Sequence, residues 1–395
     1  MNLNSIKSIL TLRYDYTQTP LLPKLTWKDL EKKEYFSPEE ILQQYISNLK
    51  KQIPTNYSKP ISISLSGGVD STLTLCLLKQ IFPDNQIDAI SIKFRDSPDE
   101  TETASKIAKR IGVDHHIIEI DNFLKKLPDA ISITKLPFWD IHWLYVVEKA
   151  KTFSNYLISG DGGDELFGGY VFRYSKFLSK IHPNSTVNDK IRAYLSCHER
   201  DHVPEQDEIF EQKIGFQWQD IYDQLTPYFD NPLDPIDQVF LADYNGKLLY
   251  NFSIINNKIA NFFYIQSITP LLSPEIIQKS MRLPSNKKYD SSSNIGKLHL
   301  RKILKIFGIE DLIEKQKLGF SVNTENLWKT HGLEMTKDYL IDGKIIQDGW
   351  IKKDWVQSNL NDQNIDIRHI NKLLGLLSFE IWYRMFEKNF NSKGI

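Results

Sequence analysis

From Pro60 onward the chain alternates short apolar runs with longer amphipathic stretches. Residues 61–65, 87–94, 116–120 and 156–159 read as buried strands, and 72–81, 99–111 and 141–153 as the helices around them. Near-continuously apolar strands separated by helices predict a parallel sheet covered on both faces. From about residue 175 the strand signal fades and helical spacing dominates. Before Pro60 the pattern is polar and irregular, except for 36–53. There Ile41, Leu42, Tyr45, Ile46 and Leu49 recur at helical spacing and Pro54 stops the run. The chain is thus expected to divide into an N-terminal segment 1–59 with one helix, an α/β core 60–175, and a mainly helical part 176–395.

Two strand-end loops carry the candidate chemistry. After the first core strand comes Ser66-Gly67-Gly68-Val69-Asp70-Ser71, leading into a helix. A helix N-terminus offers unpaired N–H groups and a positive dipole, both suited to phosphate oxygens. Paired glycines let the main chain approach closely, the two serines add hydroxyl donors, and Asp70 can hold magnesium against phosphates. After the strand at 156–159 comes Gly160-Asp161-Gly162-Gly163-Asp164-Glu165-Leu166-Phe167-Gly168-Gly169-Tyr170. Glycines and acids at a strand's C-terminal end form a loop where open α/β sheets bind ligands.

Bulk properties narrow the partners. Lys plus Arg number 49 and Asp plus Glu 50 among 395 residues, for a net charge of −1, which argues against a life on long nucleic acid. The two cysteines, Cys76 and Cys197, form neither a disulfide framework nor a zinc pattern. No run approaches the roughly 18 apolar residues needed to cross a bilayer, and the first residues lack the charge and apolar pattern of a secretion signal. A cytoplasmic protein without a membrane partner is expected. His115-His116 lacks metal-ligand spacing and reads as structural.

The first loop resembles the pyrophosphate-binding loop of the N-type ATP pyrophosphatases (PP-loop enzymes), and no Walker sequence is present. The two loops together resemble the synthetase domain of the asparagine synthetase family. Lys315-Gln316-Lys317-Leu318-Gly319-Phe320-Ser321 is similar to that family's catalytic-lysine segment, and Leu374 to Arg384 to its closing helix. The resemblance implies an adenine-nucleotide α-hydrolase-like core, with residues 1–59 in the place of a linker and the glutaminase domain lacking. It implies an ATP-dependent carbon–nitrogen ligase that adenylates a small carboxylic acid, releases pyrophosphate, and passes the acyl group to ammonia or an amine, with a separate glutaminase as a possible partner. ATP and Mg2+ are the implied cofactors. Asp70 and Asp164 would bind the metal. Ser66, Gly67, Gly68 and Ser71 would cradle the pyrophosphate, and Leu65, Ile92, Ser159 and Gly160 would contact the nucleoside. Lys317 and Asp161 would be catalytic, Lys317 by stabilising charge and Asp161 by orienting the amine or taking its proton. Glu165 would support the loop, Asp140 is a pocket candidate, and the basic helix 297–305 would turn Arg301 toward the phosphates. Where relatives carry a Glu-x-Arg pair and a later Asp, this sequence has Gln266, Ile268 and Ser273, which puts aspartate in doubt as the acceptor. A PP-loop enzyme acting on a tRNA base and a non-catalytic nucleotide-binding subunit are the competing expectations.

Overall fold

A computed structural model of the chain describes residues 1–386 apart from 96, 98, 100, 199 and 314–321. Five parallel strands make one sheet: β1 Ile61–Ser64, β2 Ile87–Phe94, β3 Asp114–Ile120, β4 Tyr156–Ile158 and β5 Gln266–Ile268, in the order β3-β2-β1-β4-β5. The parallel sheet and the helical second half match the expected fold class. Ile61 pairs with Ile87 and Ile63 with both Ala89 and Ile158, so β1 is central and enclosed. Alternate side chains feed two cores. Ile61, Ile63 and Ala89 enter one, and Ile90, Ile92 and Leu157 the other. Burial on both faces explains why these strands read as apolar runs.

The helices near the site are α1 Leu3–Leu12, α2 Pro38–Gln52, α3 Val69–Ile81, α4 Thr101–Ile111, α5 His142–Lys151 and α6 Gly163–Phe167. The side chains Leu73, Ala104 and Ile107 from α3 and α4 pack in the first core, and Trp143, Leu144 and Val147 from α5 in the second. The closing helix Ile367–Phe386 joins α5 in that second core.

Two sequence expectations are corrected. Residues 1–59 hold not one helix but three: α1, a short one at Trp27–Glu31, and α2. In α1, Ile6, Ile9 and Leu10 are buried, but so are Ser5, Ser8 and Thr11, which breaks the apolar stripe. Those polar groups find partners outside the helix. Ser8 Oγ donates to the Tyr14 carbonyl at 2.6 Å, and Thr11 Oγ1 accepts from Gln206 at 3.1 Å. The second correction is β5, which lies in the part read as helical. Three residues at an edge carry too little pattern to announce a strand.

The sheet reverses direction between β1 and β4. From β1 the chain builds outward to β2 and β3, then returns to lay β4 and β5 on the other side. The crevice at such a switch point, beyond the strand carboxyl ends, is where doubly wound sheets bind ligands.

Candidate active site

Both glycine-rich loops leave adjacent strands at that switch point. In the first, Gly67 takes φ +75°, a left-handed turn that glycine adopts without steric cost, and Gly68 caps α3. The helix starts at Val69 rather than at 72, so Asp70 and Ser71 lie in its first turn, where its unpaired N–H groups point at the crevice. Ser71 Oγ accepts from the Ser66 amide at 3.2 Å and lies 3.1 Å from Ser66 Oγ, which closes the loop. In the second loop, Asp164 and Glu165 sit in the first turn of α6.

The loops touch. A Cβ on Gly160 would come within 2.6 Å of the Asp70 backbone, and one on Gly163 within 2.2 Å of the Asp70 carboxylate. Glycine at both positions is what lets the two acidic residues converge. The Lys297 ammonium lies 2.5 Å from Asp70 Oδ2 and 2.7 Å from Asp164 Oδ1. Burial pulls this ammonium down, but Asp164 and Asp70 outweigh it and hold its pKa above the ordinary lysine range. Lys297 adopts φ +58° at the start of the helix Leu298–Ile306. Among the described residues, the two carboxylates therefore share one cationic position.

That position fits a hard divalent ion. Magnesium is usually held by one or two carboxylates plus substrate phosphates and water. Among the described residues, no group of three or more His, Cys, Asp or Glu forms a metal cage, so phosphate oxygens would complete the coordination.

A cavity of about 290 Å³ opens over the loops. Ser66, Gly67, Gly68, Asp70, Ser71, Ser159, Gly160, Asp161 and Asp164 all line it. Leu65 and Ile92 are not among its lining residues; both are buried in the cores. Asp161 Oδ2 accepts from Ser159 Oγ at 3.0 Å and from Asn256 at 3.1 Å. Burial pushes the Asp161 carboxyl up, the Ser159 hydrogen bond opposes this, and the neighbouring charge of Asp70 adds to the rise. Glu165 is buried and accepts from the Tyr170 hydroxyl at 2.6 Å. Arg301 lines the cavity, and its Nε donates to the Gly296 carbonyl at 3.2 Å. Lys317 and the segment around it lie outside the described residues.

Other positions read differently in three dimensions. Gln266 is exposed on β5, Ile268 is core, and Ser273 caps the helix Pro274–Arg282, accepting from the Ile276 amide at 3.3 Å. None of these three lines the cavity over the loops. The histidine pair is structural. His115 hydrogen-bonds Ser91 and Ser105, and His116 bonds Asp88 and stacks on Phe153 at 4.2 Å. Burial raises both thiols, Cys76 to about 12 and Cys197 to about 11, so neither is a ready nucleophile. Lys297 itself escaped the sequence reading. Its only signal was a lysine after Gly296 at the mouth of a basic helix.

An open parallel sheet with two interlocked glycine-rich loops and a shared cation position defines an α/β protein built around a nucleotide-sized crevice. The asparagine synthase family profile matches residues 53–384, and the chain belongs to that family. It is 23% identical over 359 residues to asparagine synthetase 1 (glutamine-hydrolyzing) of Bacillus subtilis (strain 168), covering 82% of this chain and 56% of that protein. A putative asparagine synthetase of Mycobacterium tuberculosis (strain ATCC 25618 / H37Rv) is 23% identical over 356 residues, with 82% and 54% covered. The NH3-dependent NAD+ synthetase of Staphylothermus marinus is 24% identical over 236 residues, with 53% and 82% covered. The chain spans just over half the length of the two asparagine synthetases.

Proposed function

We propose that this chain is an ATP-dependent carbon–nitrogen ligase that adenylates a small carboxylic acid and transfers the acyl group to ammonia or an amine. The observation that carries the reading is the convergence of Asp70, Asp164 and Lys297 where α3 and α6 begin, two helix starts facing one crevice. Asp70 and Asp164 would hold a magnesium ion on the ATP phosphates, where it supplies charge neutralisation for the leaving diphosphate. The loop 66–71 cradles that diphosphate with backbone N–H groups and the hydroxyls of Ser66 and Ser71. Ser159 and Gly160 border the nucleoside.

An acceptor carboxylate oxygen attacks the α-phosphorus. The α–β bridging bond breaks, and pyrophosphate leaves with the electron pair. Lys297 and Arg301 line the crevice and would stabilise the negative charge on the phosphates, with Lys317 as a further cation from the family's lysine segment. The amine nitrogen then attacks the acyl carbon and AMP departs. Asp161 faces this centre with a raised pKa and orients the amine or takes its proton. Closure of the crevice excludes water that would hydrolyse the adenylate.

The test is an ATP–pyrophosphate exchange screen across small carboxylic acids, with aspartate among them, followed by AMP release on adding ammonia. At least one acid is expected to support exchange that Asp70→Ala abolishes. If no acid supports exchange or AMP formation, the ligase reading is wrong.

A further inference from the structure

A second cavity, of about 340 Å³, adjoins the first, and Glu165, Tyr170 and Phe252 line both. Its far wall is charged. Arg13 and Lys247 share the Asp201 carboxylate at 3.1 and 2.8 Å, and Arg173 reaches Asp243 at 3.3 Å. Arg13 is delivered there by a left-handed residue conformation (φ +62°) that ends α1.

These ion pairs leave specific valences open. Asp243 is 5% exposed; its Oδ1 accepts from the Tyr194 hydroxyl at 2.9 Å and from Arg173. Its Oδ2 has no hydrogen-bond partner among the described residues, and neither has Oδ1 of Asp140, which lines the same cavity. Each such buried acceptor costs about 1–3 kcal/mol when no donor reaches it. Close by, Arg13 and Lys247 share the Asp201 carboxylate, and the His198 imidazole lies 3.5 Å from Asp201 and 3.7 Å from Asp243. At roughly 30 Å³ per water the cavity has room for about ten waters, or for one molecule of amino-acid size. Open carboxylate acceptors close to two cations that share one carboxylate match a small ligand with an ammonium and a carboxylate.

We propose that this second cavity binds the amine substrate and that the substrate is an amino-acid-sized zwitterion. Its ammonium donates to Asp243 Oδ2 and Asp140 Oδ1, and its carboxylate lies toward Arg13 and Lys247. The word substrate rests on the ligase reading; the binding site does not. From this chamber the amine passes Glu165, Tyr170 and Phe252 to the acyl-adenylate. A carbon–nitrogen bond forms and the acyl carbon–phosphate oxygen bond breaks. AMP takes the electron pair, and the ammonium sheds two protons, one before the attack and one after.

The experiment is isothermal titration of the full chain, without nucleotide, against the standard amino acids and ornithine. Methylamine and acetate serve as the two halves of the zwitterion. At least one zwitterion is expected to bind saturably and more tightly than either half, with Asp243→Asn weakening it about tenfold or more. Because Asp243→Asn also disturbs the Arg173 pair, Asp140→Asn gives a second reading at an oxygen with no hydrogen-bond partner among the described residues. Absence of binding by every zwitterion, or binding unchanged in both variants, overturns the proposal. Pyrophosphate exchange needs acceptor but no amine, so it separates the two readings. Exchange without amine binding sinks only the second site, and amine binding without exchange sinks only the ligase.

Discussion

Replacing Lys297 by Met removes the ammonium that Asp70 and Asp164 share and keeps a chain of similar length. The three side chains are 10%, 14% and 16% exposed, so little water stands ready to take the ammonium's place. Removing one partner of a buried ion pair costs about 3–5 kcal/mol. Partial exposure of both carboxylates places the expected loss near the lower end, about 3 kcal/mol at pH 7 in metal-free buffer. The loss shrinks as the pH drops and carboxylates that no longer share the ammonium take up protons. A divalent cation at the same position restores the missing charge. Magnesium at ten times its dissociation constant adds about 1.4 kcal/mol to the variant by mass action. It adds less to the natural protein, whose lysine competes for the position. Urea denaturation followed by tryptophan fluorescence, in EDTA and in MgCl2, measures both terms. A loss below about 1 kcal/mol, or equal stabilisation of both proteins by magnesium, would refute a shared cation site.

Three further outcomes follow from the same geometry. Asp161 has a raised carboxyl pKa in the folded chain, so the stability it contributes is fully present below the unfolded aspartate pKa and is lost as pH rises through the folded value. Asp161→Asn is therefore expected to raise the melting temperature at pH 8 relative to the natural protein, with no gain at pH 4, while amide formation falls; equal shifts at both pH values contradict this. Gly160→Ala drives a Cβ into the Asp70–Ser71 backbone and is expected to cost ATP affinity about tenfold or more, whereas Gly308→Ala, with nothing within 4 Å but φ +63°, costs about 1 kcal/mol of stability and leaves ATP affinity alone; filter binding and melting curves separate the two. Ser273→Ala removes a helix cap and is expected to cost about 1 kcal/mol without changing the KM for any acceptor, since the side chain does not line the cavity over the loops; a KM shift would return this position to substrate recognition.

The core strands and the helices α2 to α5 were legible because burial on both faces writes itself as uninterrupted apolar runs, and amphipathic helices repeat at 3.6 residues. Boundaries moved by one to three residues, most usefully at α3, where the helix begins early enough to include Asp70. Helix α1 was hidden because Ser5, Ser8 and Thr11 face inward and are satisfied by partners elsewhere in the chain. Strand β5 was hidden by its length. Ser273, read from the sequence as a departure in the acceptor region, accepts from the Ile276 amide at the start of a helix.

The glycines of the second loop carry the larger lesson about the site. Gly160 and Gly163 look like permissions for a local turn, but neither has positive φ. Their constraint comes from the other loop, because any side chain there would strike residues 70 and 71. Two motifs some ninety residues apart are thus halves of one contact, and that contact brings Asp70 and Asp164 to a common cation. Lys297 enters from a third place in the chain, and the second cavity from several more: Arg13 from the end of α1, Asp140 ahead of α5, Asp243 and Lys247 from the helical half. Chemistry confined to a strand-end loop can be read from adjacent residues. Chemistry assembled across the chain has no local signature, and here the nucleotide loops are of the first kind, while the charged chamber behind them is of the second.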